Sequence, residues 1–170
     1  MAARARFIAL YEENYDAVHA FCARRVGFGE APDATAEVFA VLWRRIDEAP
    51  TDADVAWLFG IARNTVLNRW RSRRRESRLL ERVGGIREPA PAGPDTVVVR
   101  NEERRAVGEA LSSLRPADKE ILMLSAWDEL SGKQIAQVLG ISVSAADQRL
   151  HRARKRLAKA LPTEAEEGGA

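Results

Sequence analysis

Apolar residues recur at helical spacing along most of this chain. The spacing predicts a first helix over 7–26, with Phe7, Tyr11, Tyr15, Val18 and Cys22 as its stripe, Leu10 and Phe21 beside it, and Gly27 and Gly29 ending it. Pro32 and Asp33 open a second helix, whose Val38, Phe39, Leu42, Trp43 and Ile46 share a face before the chain reaches Pro50. The interval 47–54 reads as an acidic, proline-containing loop, and Asp52 or Asp54 is placed to cap a third helix starting near Val55. Trp57, Leu58, Ile61, Ala62, Thr65 and Val66 give that helix its buried side. From Glu76 to about Val99 the periodicity is lost, and three of the seven prolines fall within 89–94, so this stretch is expected to be a linker between two domains. Beyond it, Val107, Ala110, Leu111 and Leu114 form an amphipathic helix ending at Arg115, and Pro116 suits the first position of the next. Ile121, Leu122 and Leu124 belong to that next helix, and Trp127 is expected to join its core. The pattern predicts an all-α protein of two small helical domains joined by a flexible linker.

The most informative stretch is 131–159. Ser131 and Gln134 stand at capping-box spacing, and Ile135, Ala136, Val138 and Leu139 make one apolar face. Gly140 permits a turn, small Ala136 allows close helix approach, and Leu139 and Ile141 bracket the glycine as apolar plugs. A second helix from about Ser142 buries Ala146, Leu150, Ala153 and Leu157 and carries Arg149, Arg152, Arg156 and Lys159 on another face. This is the pattern of a helix-turn-helix. An ordinary hairpin with solvated basic residues would share the apolar pattern, but six of the fourteen residues from Ala146 to Lys159 are Arg or Lys and only Asp147 is acidic. In a helix-turn-helix the N-terminal residues of the second helix face base edges, here Ser144, Ala145, Asp147, Gln148 and Arg149. Gln pairs with adenine, Asp accepts from cytosine, and Arg bonds guanine or a phosphate.

The third helix adds a second basic element. Between Trp57 and Arg75 there are six Arg and no acid, with Asn and Trp interleaved. That mixture suits single-stranded or melted nucleic acid, whose bases stack on rings while guanidinium groups hold the backbone. The alternative is that Trp57 and Trp70 are core residues and the Arg run a solvated helix end, where positive charge is favourable anyway.

Charge and composition narrow the classes. The net charge is only +2 in 170 residues, so the clustering of Arg and Lys matters more than the total. Cys22 is the only cysteine, which excludes an internal disulfide and a thiolate-cluster metal site, and its spacing from Val18 places it in the core. His19 and His151 have no partner pattern, there is no phosphate-cradling glycine loop, and no carboxylates are spaced for a metal. The sequence therefore points away from an enzyme and implies no cofactor and no metal. Its start has too short an apolar run for a signal peptide and no later run approaches bilayer length, so a cytoplasmic protein is expected.

The order of DATAEVFAVLWRR (33–45), WLFGIARNTVLNRWRSRRR (57–75) and, after a short linker, LRPADKEILMLSAWDELSGKQIAQVLGISVSAADQRLHRARKRL (114–157) resembles the extracytoplasmic-function group of bacterial RNA polymerase sigma factors. The resemblance covers nearly the whole chain. It implies a sigma-2 domain over 5–78, a linker over 79–99 and a sigma-4 domain over 100–161, leaving a short acidic tail over 162–170. It further implies two partners, core RNA polymerase and promoter DNA. Glu37, Val41, Arg44 and Arg45 would meet the clamp helices of the largest subunit, and the sigma-4 domain would dock on the flap of the second-largest. Arg63, Asn64, Asn68, Arg69 and Arg71, with the loop 49–54 and its Asp52, would recognise and melt the −10 element and capture an unstacked base. Ser144, Ala145, Asp147, Gln148, Arg149, Arg152 and Arg156 would serve the −35 element. An anti-sigma factor is the commonest restraint in such families.

Two departures stand out. Thr35 and Ala36 occupy positions where an acid-glutamine pair is common, and Asp147 and Gln148 occupy base-facing positions where a basic residue is common. Two rival functions use the same residues differently. A polymerase-independent regulator would need only the helix-turn-helix, binding duplex DNA as a dimer, and a helical adaptor would use the basic faces for an acidic partner.

Overall fold

The computed structural model describes residues 2–50, 55–82 and 102–161. Among them are seven α-helices and no strand. The chain divides into two compact units, Met1–Thr96 and Val97–Ala170. The expected all-α, two-domain class is the one observed.

The first unit packs α1 (Ala2–Val26), α2 (Ala31–Arg44) and α3 (Val55–Arg82) against one another, with a 3-10 turn at Ile46–Glu48. Val18, Phe21 and Cys22 of α1, Val38 and Leu42 of α2, and Leu58, Ala62 and Val66 of α3 are almost wholly buried. Each such aliphatic side chain withdrawn from water contributes about 1.5–3 kcal/mol. Phe21 stacks on Phe59 with ring centroids 4.6 Å apart, and buried Arg25 lies 3.4 Å over the Phe21 ring while donating to the Phe21 carbonyl at 3.1 Å. Thr35, fully buried in α2, donates to the Ala31 carbonyl at 2.7 Å. Burial pushes the Cys22 thiol up, against the smaller opposing effect of a hydrogen bond with Thr35. Gly27 takes φ +85°, a left-handed conformation that glycine adopts without steric cost, and so turns the chain from α1 into α2.

Four differences from the sequence expectation have physical causes. Helix α1 begins at Ala2, five residues early, because Ala and Arg propagate a helix without needing to pack. Helix α2 ends at Arg44, and Ile46 is buried from the 3-10 turn instead. Helix α3 runs to Arg82, past Glu76 where the periodicity is lost and four residues into the 79–99 linker that the resemblance implies, because Glu, Arg and Leu favour helix even where Leu79 and Leu80 stand exposed. The rest of the expected linker, the 51–54 part of the loop with Asp52, and the acidic tail lie outside the described residues. The fourth difference concerns aromatic residues. Trp43 is 49% exposed and Tyr11 39%, and both line a groove where a closed core was expected.

The second unit contains α4 (Glu102–Ser113), α5 (Pro116–Ala126), α6 (Gly132–Leu139) and α7 (Val143–Ala160). Pro116 opens α5 as expected, with Arg115 as its N-cap. Ile121, Leu122, Leu124, Ile135, Ala146 and Ala153 are buried, and α7 packs on α4, α5 and α6. Trp127 does not join this core. It stands at the C-cap of α5 and is 40% exposed, and Val107 is likewise exposed.

Candidate nucleic-acid interface

Local signals build the helix-turn-helix. Ser131 caps α6: its hydroxyl accepts from the Gln134 backbone N–H at 3.3 Å, and the Gln134 side chain accepts in return from the Ser131 N–H at 3.0 Å. Gly140 ends α6 in the left-handed conformation with φ 65°, and the Ile141 N–H donates back to the Ala136 carbonyl at 3.0 Å. Ser142 then caps α7, accepting from the Ala145 N–H at 3.1 Å. Two capped helices and one glycine thus set the angle between α6 and α7. Ala146 and Ala153 back α7 onto the unit, so the opposite face stands clear.

That face carries Ser144, Asp147, Gln148, Arg149 and Arg152, all exposed, with Lys155 and Lys159 further along. Ala145 is half-buried, and Ser144 and Gln148 lie a turn apart with side-chain atoms at 3.5 Å. Arg156 is placed differently. Its Nη1 donates to both carboxylate oxygens of Asp118, at 2.9 and 2.8 Å, and Asp118 is itself a buried acid that also accepts from Arg115 at 3.1 Å. Arg154 donates to the Ser125 hydroxyl at 3.1 Å. These two arginines tie the C-terminal half of α7 to α5.

In the first unit, α3 carries two distinct polar stripes. Asn64, Asn68, Arg71 and Arg75 are exposed and follow one another at helical spacing, with Arg71 donating to Asn68 at 3.2 Å and Arg75 to Ser72 at 3.1 Å. Half-buried Arg63 lies beside the first of them. Arg69 belongs to the other stripe, continuing the line of buried Ala62, Thr65 and Val66 towards α2. Its Nε donates to Glu37 at 2.8 Å, its Nη1 lies 3.8 Å from Glu30, and Arg73 pairs with the same Glu30. Sequence reasoning assigned Arg69 to DNA and Glu37 to polymerase, but the two are bonded to each other across the α2–α3 packing. Trp57 and Trp70 are both half-buried.

On α2, Glu37, Val41 and Arg44 share one face, with Val41 half-buried and the other two exposed. Arg45 falls at the C-cap and pairs with Glu48 at 2.8 Å. Arg6 of α1 donates to the Ala49 carbonyl at 2.8 Å and also bonds the Pro50 carbonyl, fixing the start of the loop before α3. Sequence reasoning missed the groove between α1 and α2, about 440 Å³ in volume and lined by Phe7, Tyr11, Tyr15, Phe39, Ala40 and Trp43 among others. Its rings touch in pairs, Phe7 edge-on to Trp43 at 5.2 Å and Tyr11 against Phe39 at 4.6 Å. The available signal was chemical type: these stripe positions are aromatic, where the sealed core uses mainly aliphatic residues.

Among the described residues no group of acids, His and Cys is arranged to hold a metal, and no helix is long and apolar enough to cross a membrane. Against known families, residues 10–76 match sigma-70 region 2 and residues 104–157 match sigma-70 region 4. The chain is 32% identical over 155 residues to the RNA polymerase sigma factor CnrH of Cupriavidus metallidurans, covering 85% of this chain and 81% of that one. It is 28% identical over 156 residues to the ECF RNA polymerase sigma factor SigW of Bacillus subtilis, covering 86% and 83%. Two solved structures share its fold. The sigma factor RpoE in complex with the anti-sigma factor NepR from Bartonella quintana has a TM-score of 0.68 at 23% identity, over 93% of this chain and 98% of that one. CnrH in complex with the cytosolic domain of CnrY has a TM-score of 0.60 at 24% identity, over 90% and 85%. Two family regions in order, with a relative alignable across most of both chains, make this protein a member of the sigma-70 family of RNA polymerase sigma factors, of the extracytoplasmic-function group, which are transcription initiation factors and not enzymes.

Proposed function

We propose that this sigma factor directs core RNA polymerase to promoters through two DNA contacts, the −35 element on α7 and the −10 element on α3. The observation that carries the reading is the clear face of α7, where Gln148, Arg149 and Arg152 are exposed above a helix-turn-helix fixed by two caps and a left-handed glycine. Gln148 and Arg149 supply base-edge chemistry and Arg152 a phosphate contact. On α3 the exposed stripe of Asn64, Asn68 and Arg71, with Arg63 beside it, offers amides for bases and guanidinium groups for the strand. Arg69 and Arg73 reach the same DNA only by leaving Glu37 and Glu30.

Glu37, Val41 and Arg44, with Arg45 at the helix end, form the surface for the clamp helices of the largest polymerase subunit, and the second unit docks on the flap of the second-largest. The functional division is a core- and −10-binding domain over 5–78, a linker over 79–99 and a −35-binding domain over 100–161. An anti-sigma factor is the proposed restraint, a partner kind found with RpoE in a structure that shares this fold.

The test is in vitro transcription with core polymerase on pooled promoter fragments, with and without the full chain. New specific transcripts, lost when Arg149 and Arg152 are both replaced by Ala, are expected. Binding of duplex DNA by the chain alone, with no polymerase-dependent transcript, would favour a polymerase-independent regulator instead.

A further inference from the structure

We infer that Asp147 is a positioning residue of the helix-turn-helix and not a reader of bases: its carboxylate rests on Gly132 and holds the recognition helix α7 against the first turn of α6. The inference rests on the proposed −35 role of α7 and says how that helix is secured to α6. A β-carbon placed on Gly132 would stand 2.5 Å from Asp147 Oδ1 and 3.6 Å from its Cγ, so the carboxylate occupies the space that any other residue would fill. The backbone does not explain the glycine. Positive φ among the described glycines is confined to Gly27 and Gly140, so Gly132 has an ordinary helical backbone and its lack of a side chain serves only the close approach.

The location is also electrostatically favourable for an acid. Gly132 is the first residue of α6, where the backbone N–H groups have no acceptor within the helix and the dipole presents its positive end. The capping box takes up the N–H groups of Ser131 and Gln134 and leaves those of Gly132 and Lys133 outside it. A carboxylate resting there lies where the positive end of α6 favours it, at the other end of α6 from the Gly140 turn. The acid at this position is therefore compatible with DNA binding: Asp147 is exposed, but its carboxylate leans on the first turn of α6, and base reading falls to Gln148 and Arg149, with Ser144 beside Gln148.

The experiment uses holoenzyme reconstituted from the full chain and core polymerase, transcribing a pooled library in which the −35 element is randomised. Promoters compete for one protein in one tube, so the preference profile is independent of how much of a variant is folded. Asp147→Ala is expected to keep the wild-type profile while total transcription falls about two- to fivefold, the size of a lost helix N-terminal contact. Gly132→Ala pushes the carboxylate, the free end of a flexible side chain, outward to face DNA, so it is expected to change the profile. Adding Asp147→Ala to Gly132→Ala then restores the wild-type profile. A purely structural contact would not move the profile and would leave nothing for the second substitution to restore. Selective relaxation at one base pair in Asp147→Ala would show that the acid reads a base, and a Gly132→Ala effect that persists in the double variant would show that the two residues are uncoupled. Either result overturns the inference. A wild-type protein indifferent to the randomised element would instead remove the −35 reading itself.

Discussion

Helices α7 and α3 are both rich in arginine, but they acquire their exposed surfaces in opposite ways. On α7 the division of labour runs along the helix: Arg149 and Arg152 stand clear, while Arg154 and Arg156 reach back to Ser125 and Asp118. On α3 it runs around the helix, with Asn64, Asn68 and Arg71 outward and Arg69 and Arg73 turned to the acids of α2. A basic run is therefore not one functional unit. Which arginines are presented to a ligand depends on where the fold has placed an acceptor, a carboxylate for Arg69, Arg73 and Arg156 and a hydroxyl for Arg154.

The strongest way to test this contrast is within α7. Replacing Arg149 and Arg152 together is expected to lower promoter-specific transcription by more than about tenfold, since base and phosphate contacts of this kind are each worth about 1–3 kcal/mol, while thermal melting followed by circular dichroism stays unchanged. Arg156→Ala is expected to reverse the pattern in part: it withdraws a partner from buried Asp118 and should cost about 1–3 kcal/mol in the unfolding of the second unit. A melting loss for the first variant, or none for the second, would erase the distinction between the two halves of the helix.

A smaller effect tests the turn. Gly140→Ala forces a side chain into the left-handed region and should cost about 1 kcal/mol of stability, seen as a lower urea midpoint with an unchanged slope. The smallest stability effect is expected at Glu37→Gln. Its pair with Arg69 is partly exposed, so the cost should stay below about 1 kcal/mol. The released Arg69 should nevertheless steepen the salt dependence of binding to a −10 single strand by about 0.7 in log-log slope. An unchanged slope would mean that Arg69 serves only to staple α2 to α3.

The second unit was more legible in the sequence than the first. Its determinants are local: Ser131 and Gln134 three residues apart, Gly140 at the turn and Ser142 at the next cap are chemistry that the chain states in a single stretch. The Arg69–Glu37 pair joins residues 32 apart, so no window of sequence contains it, and each partner alone looked like a ligand contact. The Asp147–Gly132 approach was hidden for a related reason, with the rest of α6, the turn and the start of α7 between the residues. Aromatic positions failed for another reason. Helical periodicity identifies the inward face of α1 and α2, but Phe7, Tyr11 and Trp43 meet at the rim of that face, and period alone does not separate a groove from a sealed core.

Cys22 supplies a consequence of a different kind. The thiolate is the reactive form of cysteine, and this thiol is fully buried between α1 and α2 with its ionisation disfavoured by that burial. Oxidants and alkylating reagents therefore reach it only when the first unit opens. As the single sulfhydryl in the chain, it is a natural clock for that opening: its labelling rate reads how often α1 and α2 part, and any ligand that holds them together should slow it.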